Sequence, residues 1–116
     1  MSDNFLKVAR VSDIPAGQML RVNVSGKKLL LANDNGTIYA LDEMCTHEDY
    51  SLFLGCIRDG KIKCSLHGSW FDMSNGEPLE EPADQPIVTY PVKIHGDDIL
   101  LDPQGRQDIA NTNRSA

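Results

Sequence analysis

Turn-forming pairs recur through this chain and constrain it more than any other feature. They are Ser25-Gly26, Asn35-Gly36, Asp59-Gly60, Asn75-Gly76 and the run His95-Gly96-Asp97-Asp98. Such pairs supply the positive backbone φ that tight two-residue hairpin turns demand. The segments between them are rich in Val, Leu, Ile and Tyr, and several alternate with period two. Val22 and Val24 share one face of their segment, as do Val92 and Ile94 of theirs. Strands are expected at 5–11, 19–24, 27–33, 37–42, 61–65, 69–72, 88–95 and 98–102. No segment keeps a helical period with caps, and Pro15 and Gly17 limit 12–17 to a single helical turn. Many short strands joined by close turns mean an all-β chain, folded as an antiparallel β-sandwich or a small barrel.

A chain of 116 residues is long enough for one domain with a modest core. We expect that domain to span 1–102, with 103–116 as a polar, frayed tail that lacks β pattern. Hydrophobic residues make up 41% and charged residues 24%, ordinary for a globular protein, and no run is long enough to span a membrane. The start, from Met1 to Arg10, lacks the apolar stretch of a signal peptide, so the cytoplasm is the expected compartment. Thiols stay reduced there, and three cysteines, an odd number, make a poor disulfide framework.

The net charge is −6, and it is unevenly spread. Residues 1–30 hold five basic and two acidic groups, whereas Cys64 to Val92 holds no Lys or Arg but has Asp72, Glu77, Glu80, Glu81 and Asp84. An acidic chain is a poor ligand for nucleic acid. It suits docking on a basic patch of another protein, although solubility alone accounts for most of these acids.

The chain has three cysteines and three histidines, and two of each fall in Cys45-Thr46-His47 and Cys64-Ser65-Leu66-His67. The first pair follows the expected strand 37–42, and the second ends the expected strand 61–65. Each therefore sits on a loop, and the Asp59-Gly60 hairpin can bring the two loops together. Two loop-borne pairs of this kind point to a metal site of four ligands. Tetrahedral zinc is the first competitor. Zinc sites, however, usually pair two sulfurs in one knuckle and two imidazoles in the other. Here each loop carries one thiolate and one imidazole, which suits a two-iron cluster with chemically distinct irons: Cys45 and Cys64 on one, His47 and His67 on the other.

Cys-x-His, sixteen residues, then Cys-x-x-His-Gly resembles the Rieske [2Fe–2S] signature, and the β-like runs on either side extend the resemblance over roughly residues 5–102. The resemblance implies a Rieske iron–sulfur domain: an antiparallel β-sandwich with a small cluster-binding subdomain, about 43–72, that carries two ligand loops. In the respiratory and photosynthetic branch each ligand loop has an extra cysteine, and the two form a disulfide. Tyr50 and Leu66 stand at those positions here, so no such disulfide is implied. That branch also places a Ser and a Tyr after the second His as donors to the cluster sulfurs. Ser69 keeps the Ser position, and Phe71 replaces the Tyr. Donors to a sulfur stabilise the reduced cluster, so the loss of one implies a potential near the lower end of the roughly −150 to +300 mV Rieske range.

A free-standing Rieske domain without the disulfide is similar to the ferredoxin components of bacterial aromatic ring-hydroxylating dioxygenases, of the biphenyl and carbazole type. The implied role is a one-electron carrier, a monomer and not itself an enzyme. It would take electrons from an NAD(P)H-dependent flavoprotein ferredoxin reductase and pass them to the Rieske centre of a terminal oxygenase. The resemblance also implies that the two imidazoles lie at the tip and lose a proton in the oxidised state at high pH. Tyr50, Leu52, Leu66, Trp70 and Phe71 are candidates for shielding the cluster or touching partners, with core packing the better role for Phe71. Cys56 lies outside the pattern and reads as a small buried hydrophobe, and His95 as a surface residue. Two alternatives stand beside this reading. One is the Rieske-like small subunit of another oxidoreductase, such as nitrite reductase, and the other is a structural zinc module.

Overall fold

The computed structural model describes residues 5–44, 51–64, 68–79 and 86–104. Among the described residues ten strands run in chain order: β1 Leu6–Arg10, β2 Met19–Val24, β3 Lys27–Asp34, β4 Thr37–Asp42, β5 Cys56–Arg58, β6 Lys61–Lys63, β7 Trp70–Asp72, β8 Thr89–Tyr90, β9 Val92–His95 and β10 Asp98–Leu101. They form three antiparallel sheets, ordered β1-β10-β9, β2-β3-β4-β8 and β5-β6-β7.

The turn pairs behave as their chemistry dictates. Asn35 and Gly36 have φ of 59° and 99°, and Asp59 and Gly60 have 51° and 78°. Positive φ at both central residues is the type I′ geometry, whose twist matches that of the paired strands. These turns set the register: Asp34 pairs with Thr37 across the first and Arg58 with Lys61 across the second.

Strand β3 carries the core. Leu29 and Leu31 point to one side, where they pack with Val24, Ala40, Tyr90, Ile99 and Leu101. Leu30 and Ala32 point to the other, where Leu41, Leu52, Ile62, Cys64, Phe71, Met73 and Ile87 gather. A strand buried on both faces reads as a continuous apolar run, and "LLLA" at 29–32 is that run. Each fully buried Leu contributes about 1.5–3 kcal/mol over its exposed state. The expected sandwich is thus present, with the β5-β6-β7 sheet as a third layer on the far face of β2-β3-β4-β8.

Three local readings differ. The expected strand 88–95 divides at Pro91: β8 pairs with β4, and β9 with β10. Proline has no N–H to give a ladder, so the chain changes sheets there. The short strand β5 was not anticipated, because three residues show too little alternation to register. Among the described residues two 3₁₀ turns form, at Val11–Asp13, one residue before the anticipated turn, and at Leu52–Leu54. Ser51 caps the second by accepting from the Phe53 backbone N–H at 3.1 Å.

Candidate metal centre

Two stems rise from the central core, and each closes on itself before its loop begins. In the first, Met44 bridges to Ser51, and the Leu52 N–H donates to the Glu43 carbonyl at 2.7 Å. The Ser51 hydroxyl also donates to the Glu43 carboxylate at 2.6 Å. In the second, the Cys64 N–H donates to the Ser69 carbonyl and the Gly68 N–H to the Cys64 carbonyl, both at 2.8 Å.

The stems share one core, since Leu52 from the first and Cys64 from the second lie in the same buried cluster with Ile62 and Phe71. The β5–β6 hairpin connects them, as the sequence implied. A backbone contact at Gly55 ties them further: a Cβ built there would meet the Lys63 carbonyl, 2.9 Å from its carbon and closer still to its oxygen. Only glycine lets the residue after the Leu52–Leu54 turn lie against the residue before Cys64.

Cys64 is 1% exposed and is a free thiol. Cys45, His47, Tyr50, Leu66 and His67 lie outside the described residues. Among the described residues no three metal-binding side chains come together. What the structure supplies is one buried thiol at the head of a closed loop, on a stem packed against that of the loop holding Cys45 and His47. Cys64, the described member of the four candidate ligands, is a buried free thiol and so fits a thiolate ligand of a [2Fe–2S] group.

Phe71 is fully buried, so core packing is its role. Leu52 is fully buried too. Ser69 is buried at 1% exposure and holds the Cys64 N–H through its carbonyl. Trp70 is half-buried on the outer face of the sheet, with the Arg58 guanidinium 5.8 Å and the Lys63 ammonium 5.7 Å from its ring. Trp70, Arg58, Asp59, Lys61 and Leu79 line an open groove of about 530 Å³. Cations therefore stand beside the second stem, where the sequence had drawn attention to acids. The signal was present in "RDGKIK" at 58–63, whose alternation puts Arg58, Lys61 and Lys63 on one sheet face. Of the acidic stretch, Asp72 accepts from Ser74 and Glu77 is exposed, while Glu80, Glu81 and Asp84 lie outside the described residues.

Cys56 corrects an expectation: it is exposed, not buried. β5 is an edge strand, and Ile57, paired with Ile62, takes its inward position. His95 is exposed, as read. The Glu43–Ser51 contact escaped the sequence reading, because neither residue belongs to a motif.

Comparisons with known proteins agree with this arrangement. The family model of the Rieske [2Fe-2S] domain matches residues 4–91. The ferredoxin component of a naphthalene 1,2-dioxygenase system from Pseudomonas aeruginosa is 38% identical, over 88% of this chain and 98% of its own. The ferredoxin of carbazole 1,9a-dioxygenase from Nocardioides aromaticivorans IC177 superposes with a TM-score of 0.83 at 27% identity, covering 88% of this chain and all (100%) of that one. A complex of reduced oxygenase and oxidized ferredoxin in carbazole 1,9a-dioxygenase matches with a TM-score of 0.82 at 27% identity, over 90% of this chain and 98% of that one.

Proposed function

Because this chain belongs to the Rieske [2Fe-2S] family, we propose that it serves as the ferredoxin component of an aromatic-ring-hydroxylating dioxygenase system. It is a one-electron carrier and not an enzyme by itself. Its cofactor is one [2Fe–2S] cluster of Rieske type. When bound, the cluster supplies storage for a single electron. Since NADH yields two electrons, two deliveries by this protein complete each turnover of the system.

In this reading Cys45 and Cys64 hold one iron, and His47 and His67 the other. The observation that carries it is Cys64: a free thiol, 1% exposed, at the mouth of a loop closed by two backbone hydrogen bonds. Burial keeps water from the Cys64 thiol, and backbone hydrogen bonds close both stems. The donor is a flavoprotein reductase and the acceptor the Rieske centre of a terminal oxygenase, each engaged transiently by a monomer. The cytoplasm is the compartment we assign. Among the described residues no helix is long and apolar enough to cross a membrane.

The purified protein is expected to be red-brown, to give a rhombic electron-paramagnetic-resonance signal when reduced, and to carry electrons from an NADH-linked flavoprotein reductase to a terminal oxygenase. A colourless protein containing zinc would refute the cofactor. A coloured protein that reduced no oxygenase would refute the role.

A further inference from the structure

Glu43 is 8% exposed. Glutamate is almost never buried without a partner, because removing its charge from water costs several kcal/mol. Closing the first loop does not require that carboxylate. The Leu52 N–H already donates to the Glu43 carbonyl, the Glu43 N–H donates to the Lys28 carbonyl at 3.2 Å, and Met44 bridges to Ser51. The side chain adds a second, directional connection. The Phe53 N–H donates to the Ser51 oxygen, and the Ser51 hydroxyl donates to the Glu43 carboxylate. The relay leaves the hydroxyl no freedom to turn, since one neighbour occupies it as acceptor and the other as donor.

The groove that Glu43 lines also holds Arg21 and Lys28, yet neither forms an ion pair with it among the described residues. The carboxylate is therefore held by a hydroxyl. It is not neutralised by direct contact. It lies two residues before Cys45, in the stem from which that loop emerges.

We propose that Glu43 and Ser51 are positioning residues for the first ligand loop, and that the Glu43 carboxylate is a fixed negative charge that lowers the reduction potential of the centre. This rests on the reading of the chain as a Rieske electron carrier. The clasp ties the two ends of the first stem, Glu43 and Ser51, to each other. The charge opposes the electron that reduction adds.

Two substitutions separate the charge from the clasp. Glu43→Gln keeps an oxygen to accept from Ser51 and removes the charge. At a fixed poise it is expected to shift the reduced-to-oxidised ratio about tenfold toward reduced, which is roughly 59 mV upward for one electron. Film voltammetry reads the shift, and iron content confirms equal loading. Ser51→Ala breaks the relay, and altered g-values in the reduced protein are expected, with Ser51→Thr restoring them. An unchanged potential in fully loaded Glu43→Gln overturns the charge assignment. Failure of that variant to hold iron overturns it also, because the amide preserves shape and acceptor. Unchanged g-values in Ser51→Ala overturn the clasp. If the unaltered protein gave no rhombic signal, the carrier reading itself would have failed, and that result is distinct from these.

Discussion

The contact between Gly55 and Lys63 gives a direct test of how the two stems depend on each other. Replace Gly55 by Ala. The added methyl would stand 2.9 Å from the Lys63 carbonyl carbon, closer to its oxygen, and 3.4 Å from the Leu52 carbonyl oxygen. Carbon atoms rest at about 3.5–4.0 Å, so the strands must part by roughly 0.6 Å on the first distance alone. Backbone cannot swing aside as a side-chain end can. Overpacking of this kind costs about 1–3 kcal/mol, a large fraction of a domain's roughly 5–15 kcal/mol. The displacement falls on Lys63, next to Cys64, so it should disturb the centre more than the fold. The expected outcome is a lower melting temperature and a reduced iron content with bleached visible absorption. Gly36→Ala is the control. Nothing lies within 4 Å of its Cβ, and its φ is +99°, so it pays only the left-handed backbone cost of about 1–2 kcal/mol and keeps its cluster. A Gly55→Ala protein with full iron and an unchanged melting temperature would refute the coupling of the stems.

Three further outcomes follow from single contacts. Asn33, buried at 5% exposure, donates to the Ile14 carbonyl at 2.7 Å and accepts from the Gly36 N–H at 2.8 Å. Asn33→Ala strands both groups and should cost about 1–3 kcal/mol in chemical denaturation, and an unchanged midpoint would count against that account. Burial, followed by the charges of Asp34 and then Asp72, holds the Tyr39 hydroxyl above its ordinary pKa of 10.0. Above that pH the unfolded chain sheds this proton while the folded one keeps it, so stability is full below pH 10 and falls as pH rises toward the folded value. Tyr39→Phe should flatten that alkaline loss, and an identical decline in both proteins would remove Tyr39 as its cause. Ser69→Ala should lower the reduction potential by an amount on the order of tens of millivolts if its hydroxyl serves the centre, as film voltammetry will show.

Much of this protein is legible in the order of its residues. The pairs Asn35-Gly36 and Asp59-Gly60 determined two hairpins and their registers, because few other residues accept positive φ at both turn positions. The run Leu29 to Ala32 determined which strand is central, since only a strand covered on both faces can be apolar at every position. The two Cys/His pairs pointed, through residue type and spacing, to a metal site of mixed thiolate and imidazole ligands, and the resemblance to the Rieske signature named the cluster. Other features depended on what the folded chain brings together. Pro91 lay inside one apparent strand, and only the pairing partners on either side made it two. Cys56 looked like a small hydrophobe until β5 became an edge strand with Ile57 facing inward. The Glu43–Ser51 clasp and the Gly55–Lys63 contact join residues eight apart with no shared motif. Local backbone preference and side-chain period are written residue by residue, so the sequence determined most of the strands and the hairpin turns. Which neighbour fills the space beside a residue is set by long-range packing, so only the tertiary structure decided how the stems are clasped and what charge stands at their base.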